Sequence, residues 1–590
     1  MPVNVRRLAA TSMLLSAVLV TACDDDEPTG NGRPPQVLGV QVTAIDPTSV
    51  RVTFNSRAGD NSFFVQRAEG ATSTSFTDAG TVQAPATPGA VTFEDTDLEP
   101  NTDYQYRVIA VRGTAQSDPS TAVAVKTPQV QGQTIEVTQD ITISTSWTKD
   151  NTYLLKGFIH VLNGATLTIE AGTRILGDFN TLGSSLFILR GAKINAVGTA
   201  AEPIVFTSSQ PTGQRKSGDW GGLIIVGNAT LNRTGVDIEL EGTNTDTRQP
   251  PVSGTNYSVK YNGGTTDTDD SGELRYVRVE FAGFAPSQNA ELNAFTFAAV
   301  GSGTRLSNLQ ALAGLDDSFE WFGGTVSASN LVSYDAGDDH FDMSEGFRGR
   351  LQNVIALQTR SFAAGDIRSG AGAPSSDPQG IENDGCEGAG CTLGRNSTPL
   401  TTPLVANFTL IGTGDAASSG SSGGVGMMLR RGVGGWYVNG LLARWPRAAI
   451  SVRDTETYQR AGGSATPDLA TADLAVKNVL VAESTAPFQT GGSSTQNEFD
   501  LAGNAITNST TATLASLFTA FPATIDATTT AAAFDWTPPA GSPAAAGGLA
   551  TFTGKLATAA GTAVTGTAYV GAAQPGGTKW WQGWTAYARN

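Results

Sequence analysis

The sequence predicts an all-β chain in two parts, a small antiparallel sandwich followed by a long solenoid of short parallel strands, and three observations carry that prediction. Residues 305–324 (RLSNLQALAGLDDSFEWFGG) repeat as 327–346 (SASNLVSYDAGDDHFDMSEG) at an offset of 22, which matches Asn308 with Asn330, Asp316–Asp317 with Asp338–Asp339, and Glu320 with Asp342. The Asn-plus-apolar signature then returns at Asn353, Asn407, Asn439 and Asn478, with Gly/Ser-rich insertions in the longer gaps. Finally, 69 glycines and only 15% charged residues suit many tight turns, and helical periodicity is missing from the repeat. A period near 22 built from short strands is one coil of a solenoid. Coils stack about 4.8 Å apart, so matched positions form ladders: asparagines in one, carboxylates in another on the outer wall.

Taken in order, the chain opens with Arg6 and Arg7, an apolar run from Leu14 to Val20, and VTAC at 20–23. This stretch resembles the lipobox of bacterial lipoproteins. The resemblance implies that residues 1–22 are a signal peptide and that Cys23 becomes the lipidated first residue of the mature chain. It implies an exported protein held to a membrane by that lipid, at the outer membrane or cell surface, although Asp24 resembles an inner-membrane retention signal and points the other way. No other stretch approaches the roughly 18 apolar residues that span a bilayer. Residues 23–35, acidic and then Pro/Gly-rich, have no apolar face to bury and read as a flexible tether. A net charge of −17 without a basic stripe argues against a nucleic-acid partner and fits a surface protein or one that takes up cations.

From 36 to 128 the pattern is strands at sandwich spacing: SVRVTF (49–54), FFVQRA (63–68), YQYRVIAV (104–111) and AVAVKT (122–127). LEPNTDYQYRV (98–108) has the Leu-x-Pro-x-x-x-Tyr spacing of a tyrosine corner, with Tyr104 as the ring whose hydroxyl pins the turn. This segment resembles a fibronectin type III domain, with Phe54 where that family usually carries a core Trp. The resemblance implies a spacer or binding module.

After a linker at 129–134, residues 135–500 carry the solenoid, whose stacked turn asparagines resemble those of right-handed parallel β-helix (pectin-lyase-like) proteins. Early coils are GATLTIEAGTRILG (164–177) and LFILRGAKINAVG (186–198); a polar loop at 233–271 precedes the repeat. An insertion at 361–402 holds GIENDGCEGAGC (380–391), where Asn-Asp-Gly is good turn chemistry, the alternative being that Glu382 and Asp384 fold back over the acidic ladder, and Cys386 and Cys391 are close enough to bridge within one loop. Residues 501–590 weaken into Ala/Thr-rich sequence, with a short helix in 513–521 and an aromatic segment, KWWQGWTAY (579–587), expected to cap an open end of the solenoid.

Chemistry is expected along the acidic ladder of Asp316, Asp317, Asp338, Asp339 and Asp342, with Glu320 and Glu345 nearby. Two carboxylates about 5 Å apart repel by roughly 3 kcal/mol at an effective dielectric near 20. A hard cation such as Ca²⁺ offsets this, as do arginines (Arg348, Arg350, Arg430 and Arg431 are at hand) or proton sharing. The bland reading is that the Asp pairs are turn residues with intramolecular arginine partners. The sharper alternative is a polysaccharide hydrolase or lyase in which Asp316, Asp338 and Asp339 serve as acid, base or metal ligands and Arg348 as a base. The departures from the polygalacturonase-like pattern are the missing Gly-His-Gly and Arg-Ile-Lys coils; His340 and His160 are the only histidines. The reading favoured on sequence is therefore a lipid-anchored envelope protein that binds a polysaccharide or another surface component through the wall of its β-helix.

Overall fold

The computed structural model describes residues 33–587 apart from 97, 129–131, 244–258, 286–290, 376–377, 416–423, 493–494 and 527–528. The expected signal peptide, Cys23 and nearly all of the tether lie outside the described residues. The chain divides into two units, Met1–Gln131 and Gly132–Asn590.

The first unit is a sandwich of a three-stranded sheet (Gln41–Asp46, Ser49–Asn55, Ala90–Asp95) and a five-stranded sheet built around Ser62–Glu69 and Asp103–Arg112. Alternate residues point inward, so Val50, Val52 and Phe54 meet Phe63, Val65, Tyr106 and Val108 in one apolar core. Phe54 sits edge-on to Phe63 at 4.8 Å, occupying the centre with a smaller ring than Trp. Tyr104 is 3% exposed, and its hydroxyl accepts the backbone N–H of Glu99 at 3.0 Å. Tyr104→Phe leaves that donor unpaired, so we expect a loss of about 1 kcal/mol in the urea unfolding of this unit; an unchanged midpoint would show that the bond contributes nothing.

The second unit is a parallel β-helix. One wall, here face one, is a ten-stranded sheet running from Phe158–Val161 to Gln496–Asn497; only its last pairing is antiparallel. The other two walls form a fifteen-stranded sheet from Thr134–Val137 to Ile506–Ser509, so the last rung lies beyond residue 500, where sequence patterning had closed the solenoid. In early coils faces two and three are separate strands, such as Thr145–Trp147 and Thr152–Leu155. From Gly272 onward they fuse into strands of eight to ten residues, such as Arg305–Gly314 and Ser327–Ala336. The fused strands from Arg305 onward each bend at an asparagine with positive φ, Asn308, Asn330, Asn353, Asn407, Asn439 and Asn478, all between 55° and 61°; Ala313 and Asp335 near the ends of two of them are also positive. Asparagine tolerates that left-handed conformation better than other residues with a Cβ. The register adds Tyr276 below the ladder and Ala505 above it, with φ of 52° and 51°.

The repeat offset is the strand register: Leu309 pairs with Leu331, and Glu320 with Asp342. Inside, apolar side chains stack rung on rung. Phe295, Phe319 and Phe341 lie parallel at 4.9 and 5.3 Å.

Three expectations are corrected. Of the ladder asparagines, Asn353 donates to Asn330 Oδ1 at 2.9 Å, whereas Asn407, Asn439 and Asn478 reach sideways to the C-terminal segment, Asn478 donating to Gly547 O at 2.8 Å. That segment does not cap an end. Trp581, Trp584 and Tyr587 pack on the outer wall of face three against Leu312, Val332, Tyr334 and Ile355, and Gln310 exchanges two hydrogen bonds with Ala586. The reason is that outward positions on face three are apolar too, and such a wall has to be covered. Lastly, the loop at 233–271 is not simply polar: Ile238, Leu240, Val259 and Tyr261 bury against Phe322 and Ile224 of face one.

Candidate functional site

Face one carries a single outward column that can be followed through nine rungs: His160, Phe187, Ile224, Thr296, Glu320, Asp342, Glu382, Met428 and Ser451. Its chemistry changes along the way. Phe187 and Ile224 are apolar and covered by the loop just described, three consecutive rungs are acidic, and Met428 ends the run. Of the two readings of IENDG, the one that brings Glu382 and Asp384 to the acidic ladder holds: Ile381–Asp384 is the third acidic strand, with Asn383 turned inward to donate to the Tyr437 hydroxyl at 2.6 Å.

The Asp pairs occupy the turn that leads into this wall. Asp317 Oδ1 accepts the Asp339 N–H at 2.8 Å, and Asp339 Oδ1 in turn accepts the N–H of Gln379 one coil on. This is turn chemistry made into a ladder, and it holds one oxygen of each carboxylate at a fixed place. Three overlapping triads result: Asp316, Asp317 and Asp338; Asp317, Glu320 and Asp342; Asp339, Asp342 and Glu382. Each offers oxygens lying within 4.8 Å of one another. Asp316, Asp317, Asp338, Asp339 and Asp342 are thus brought together as predicted positions, with Glu320 and Glu382 completing the set.

The groove is not the open outer wall that sequence patterning suggests. Asp317 and Glu320 are each 6% exposed and Asp339 is 4% exposed. Burial, reinforced by neighbouring carboxylates, pushes Asp316, Asp317, Glu320, Asp339 and Asp342 well above the usual carboxylate range. At Asp342 the Arg430 guanidinium opposes that shift, whereas the principal charges acting on Asp316, Asp317 and Glu320 are other carboxylates. Arg430 pairs with Glu382 and, at 2.8 Å, with Asp384, so one end of the groove is neutralised by arginine. At the other end Glu241, pushed up to about 8 by burial and by Glu291, closes on Glu320.

Two buried oxygens in the groove have no hydrogen-bond partner, Asp342 Oδ1 and Asn293 Oδ1, while Asn293 Nδ2 donates to Glu320. An all-oxygen donor set fits a hard cation: with Ca²⁺–O distances near 2.4 Å, oxygens on opposite sides of one ion are about 4.8 Å apart. Asn293 was missed in the sequence because its coil is two residues longer than the repeat, Phe295 pairing with Phe319; the shared Phe-x-aromatic pattern at 295–297 and 319–321 is the signal that finds it.

One expected site residue is placed elsewhere. Arg348 bonds Asp267 at 3.1 Å and the Thr230 hydroxyl, outside all three triads, because the chain turns a corner at Gly346–Phe347 before reaching it. His340 is fully buried, its Nδ1 at 2.5 Å from Ser333 Oγ, and burial lowers its pKa to about 3, so it is neutral and out of reach of solvent. His160 pairs with Asp140 at 2.9 Å. Cys386 and Cys391 form a disulfide whose loop clasps the 231–236 stretch, Thr234 N–H donating to Gly390 O at 2.9 Å. Among the described residues no helix is long and apolar enough to cross a membrane.

Comparison with protein families matches residues 138–537 to the model described as "Pectate-lyase like beta helix domain". The chain belongs to that family. A fibronectin type III domain model matches residues 33–126 ahead of the pectate-lyase-like β-helix. A search of curated proteins returns no match. Solved structures similar to the chain include the FN1-FN3 domains of chicken CNTN1 (14% identity, 16% of this chain and 31% of that one, TM-score 0.14) and the FN5 domain of Drosophila Lar (24%, 16% and 97%, TM-score 0.14). The sixth fibronectin type III domain from human fibronectin type III domain containing protein 3 is also similar (24%, 18% and 94%, TM-score 0.15). The chain thus spans about a third of the chicken protein's chain. A fibronectin type III domain joined to a pectate-lyase-like β-helix supports a carbohydrate-related surface or enzyme role.

Proposed function

We propose that this protein is an exported surface protein, lipid-anchored through Cys23, whose β-helix binds an acidic envelope polysaccharide through divalent cations held in the groove of face one. The observation that carries the reading is the run of carboxylates on consecutive rungs, in which the principal charges acting on Asp316 and Asp317 are other carboxylates. A cation there would neutralise the wall and leave coordination positions for a uronate carboxylate or sugar hydroxyls. Membrane attachment is supported by the VTAC motif and the tether that follows it. The chain should retain acidic polysaccharides on a glycan array in millimolar Ca²⁺ and release them in EDTA; retention that ignores EDTA, or no retention on any envelope polymer, refutes the proposal. Labelling with a lipid precursor, lost in Cys23→Ala, tests the anchor.

A second reading, a polysaccharide hydrolase or lyase, is favoured by one feature: carboxyls pushed upward beside others of the same kind can keep one proton between them, as an acid/base pair requires. Release of reducing or unsaturated ends from acidic polysaccharides, abolished in Asp338→Asn, would select it. Arg348 takes no part in that reading, since it lies outside the triads.

A further inference from the structure

A second site lies on face two. Between the outer wall of that face and the short helix Gly554–Ala560 is a cleft of about 320 Å³, lined chiefly by Arg348, Arg350, Thr402, Trp436, Lys555 and Thr558. Three cations and no acidic residue line it, in a chain whose net charge is −17. The strand register explains the grouping, since Arg350, Leu404 and Trp436 are one outward column on successive coils.

Each cation is anchored by partners of its own, Arg348 donating also to the Thr230 hydroxyl and the Gly346 carbonyl. Arg348 bonds Asp267 at 3.1 Å, Lys555 bonds Asp473 at 2.7 Å, and Arg350 donates to the carbonyl of Ala559. A guanidinium has five N–H donors and an ammonium three, so donors remain for a guest. Trp436 is 6% exposed, and its indole N–H has no hydrogen-bond partner. A buried donor without an acceptor is costly to keep, and here it belongs to a wall of a basic cleft. The rest of the lining, Leu404, Ala559 and the Trp436 ring, is apolar. A space at the lower end of the roughly 300–1,000 Å³ range of ligand pockets suits one small unit.

We propose that this cleft binds a single anionic sugar unit, its carboxylate or sulfate meeting Arg348, Arg350 and Lys555, and its ring lying on the apolar floor that Trp436 helps to form. The proposal rests on the carbohydrate-related reading above but needs no metal and none of the face-one carboxylates. The chain would then hold an acidic polymer at two places on different walls, once through cations and once directly.

The test is calorimetric titration of the full chain in EDTA with glucuronate, glucose 6-sulfate, glucose and inorganic sulfate. At least one acidic sugar should bind with a Kd of about 1 mM, glucose and free sulfate about tenfold more weakly or worse; which acidic sugar binds distinguishes a uronate site from a sulfate site. Lys555→Gln should weaken binding about fivefold or more with unchanged melting temperature, Trp436→Phe, which trims the buried floor, should weaken it at some cost in melting temperature, and Asp338→Asn should leave it intact. Glucose or free sulfate binding as tightly as the acidic sugars, or both cleft variants binding like the parent, would overturn the proposal. Cleft binding retained while Ca²⁺-dependent glycan retention fails would refute the face-one reading alone.

Discussion

Phe319→Ala should destabilise the β-helix by about 3–5 kcal/mol, the upper part of the range for large-to-small core substitutions. Phe319 is fully buried and stacked between Phe295 at 4.9 Å and Phe341 at 5.3 Å, with Trp321 of its own strand at 6.0 Å. In a globular core, neighbours shift to fill part of a deleted ring. Here they cannot, because the spacing of the rungs is set by backbone ladders on all three faces: Phe295 and Phe341 belong to strands paired residue by residue with, or next to, Phe319's own strand. The hole therefore persists at nearly full size. Phe319→Leu, which leaves a smaller gap, should cost about 1–2 kcal/mol. Denaturant unfolding followed by far-ultraviolet circular dichroism measures both. A loss below 1 kcal/mol for the Ala variant would mean that the rungs can slide together after all. Because a solenoid's stability is a sum over neighbouring coils, a broadened transition rather than a simple shift is also expected for this variant.

The same property that makes the stack rigid made the fold legible. The coils at 305–346 carry no insertion, so their 22-residue offset is visible as identity of type at Asn, Asp-Asp and the acidic position four residues after the first Asp. Left-handed bends also advertise themselves, since a lone Asn before an apolar run is an uncommon local choice unless φ is positive. What could not be read was anything dependent on which wall a residue faces. Arg348 follows Asp339 by nine residues, yet the intervening corner takes it away from the triads to Asp267 and Thr230, where it also lines the basic cleft. Glu382 follows Asp342 by 40 residues, 18 more than the 22-residue period, because an insertion lengthens that coil, though the register places them side by side. The aromatic tail was assigned to an end for want of one inference. Strands such as QNVIAL have apolar residues at both odd and even positions, which means both faces are covered, and Ile355 and Leu357 on the outside are what the C-terminal segment covers.

Without divalent cations, the β-helix should be more stable near pH 5 than near pH 8, the reverse of ordinary acid denaturation. Asp317, Glu320, Asp339 and Asp342 titrate above the carboxylate range in the folded chain, first because they are buried and then because they face one another. Each therefore binds its proton more tightly folded than unfolded. Its contribution is fully present below the unfolded pKa, about 4, and is lost as pH rises through the higher folded value. Other carboxylates act oppositely: Asp267, Asp270 and Asp535 are held low by their hydrogen-bonding and cationic partners, despite partial burial. The clean measurement is thus a difference between the parent and Asp342→Asn. Asp342 Oδ1 has no partner to lose, so the amide keeps the shape and removes the charge. In EDTA at pH 8 the variant should be the more stable, and the advantage should vanish toward pH 4. Ca²⁺ should invert the order, stabilising the parent and not the variant, because a bound cation does for the ionised carboxylates what protons do at low pH. If Asp342→Asn is destabilising at pH 8 in EDTA, the groove already balances its own charge, and neither a cation nor a shared proton is needed to hold it together.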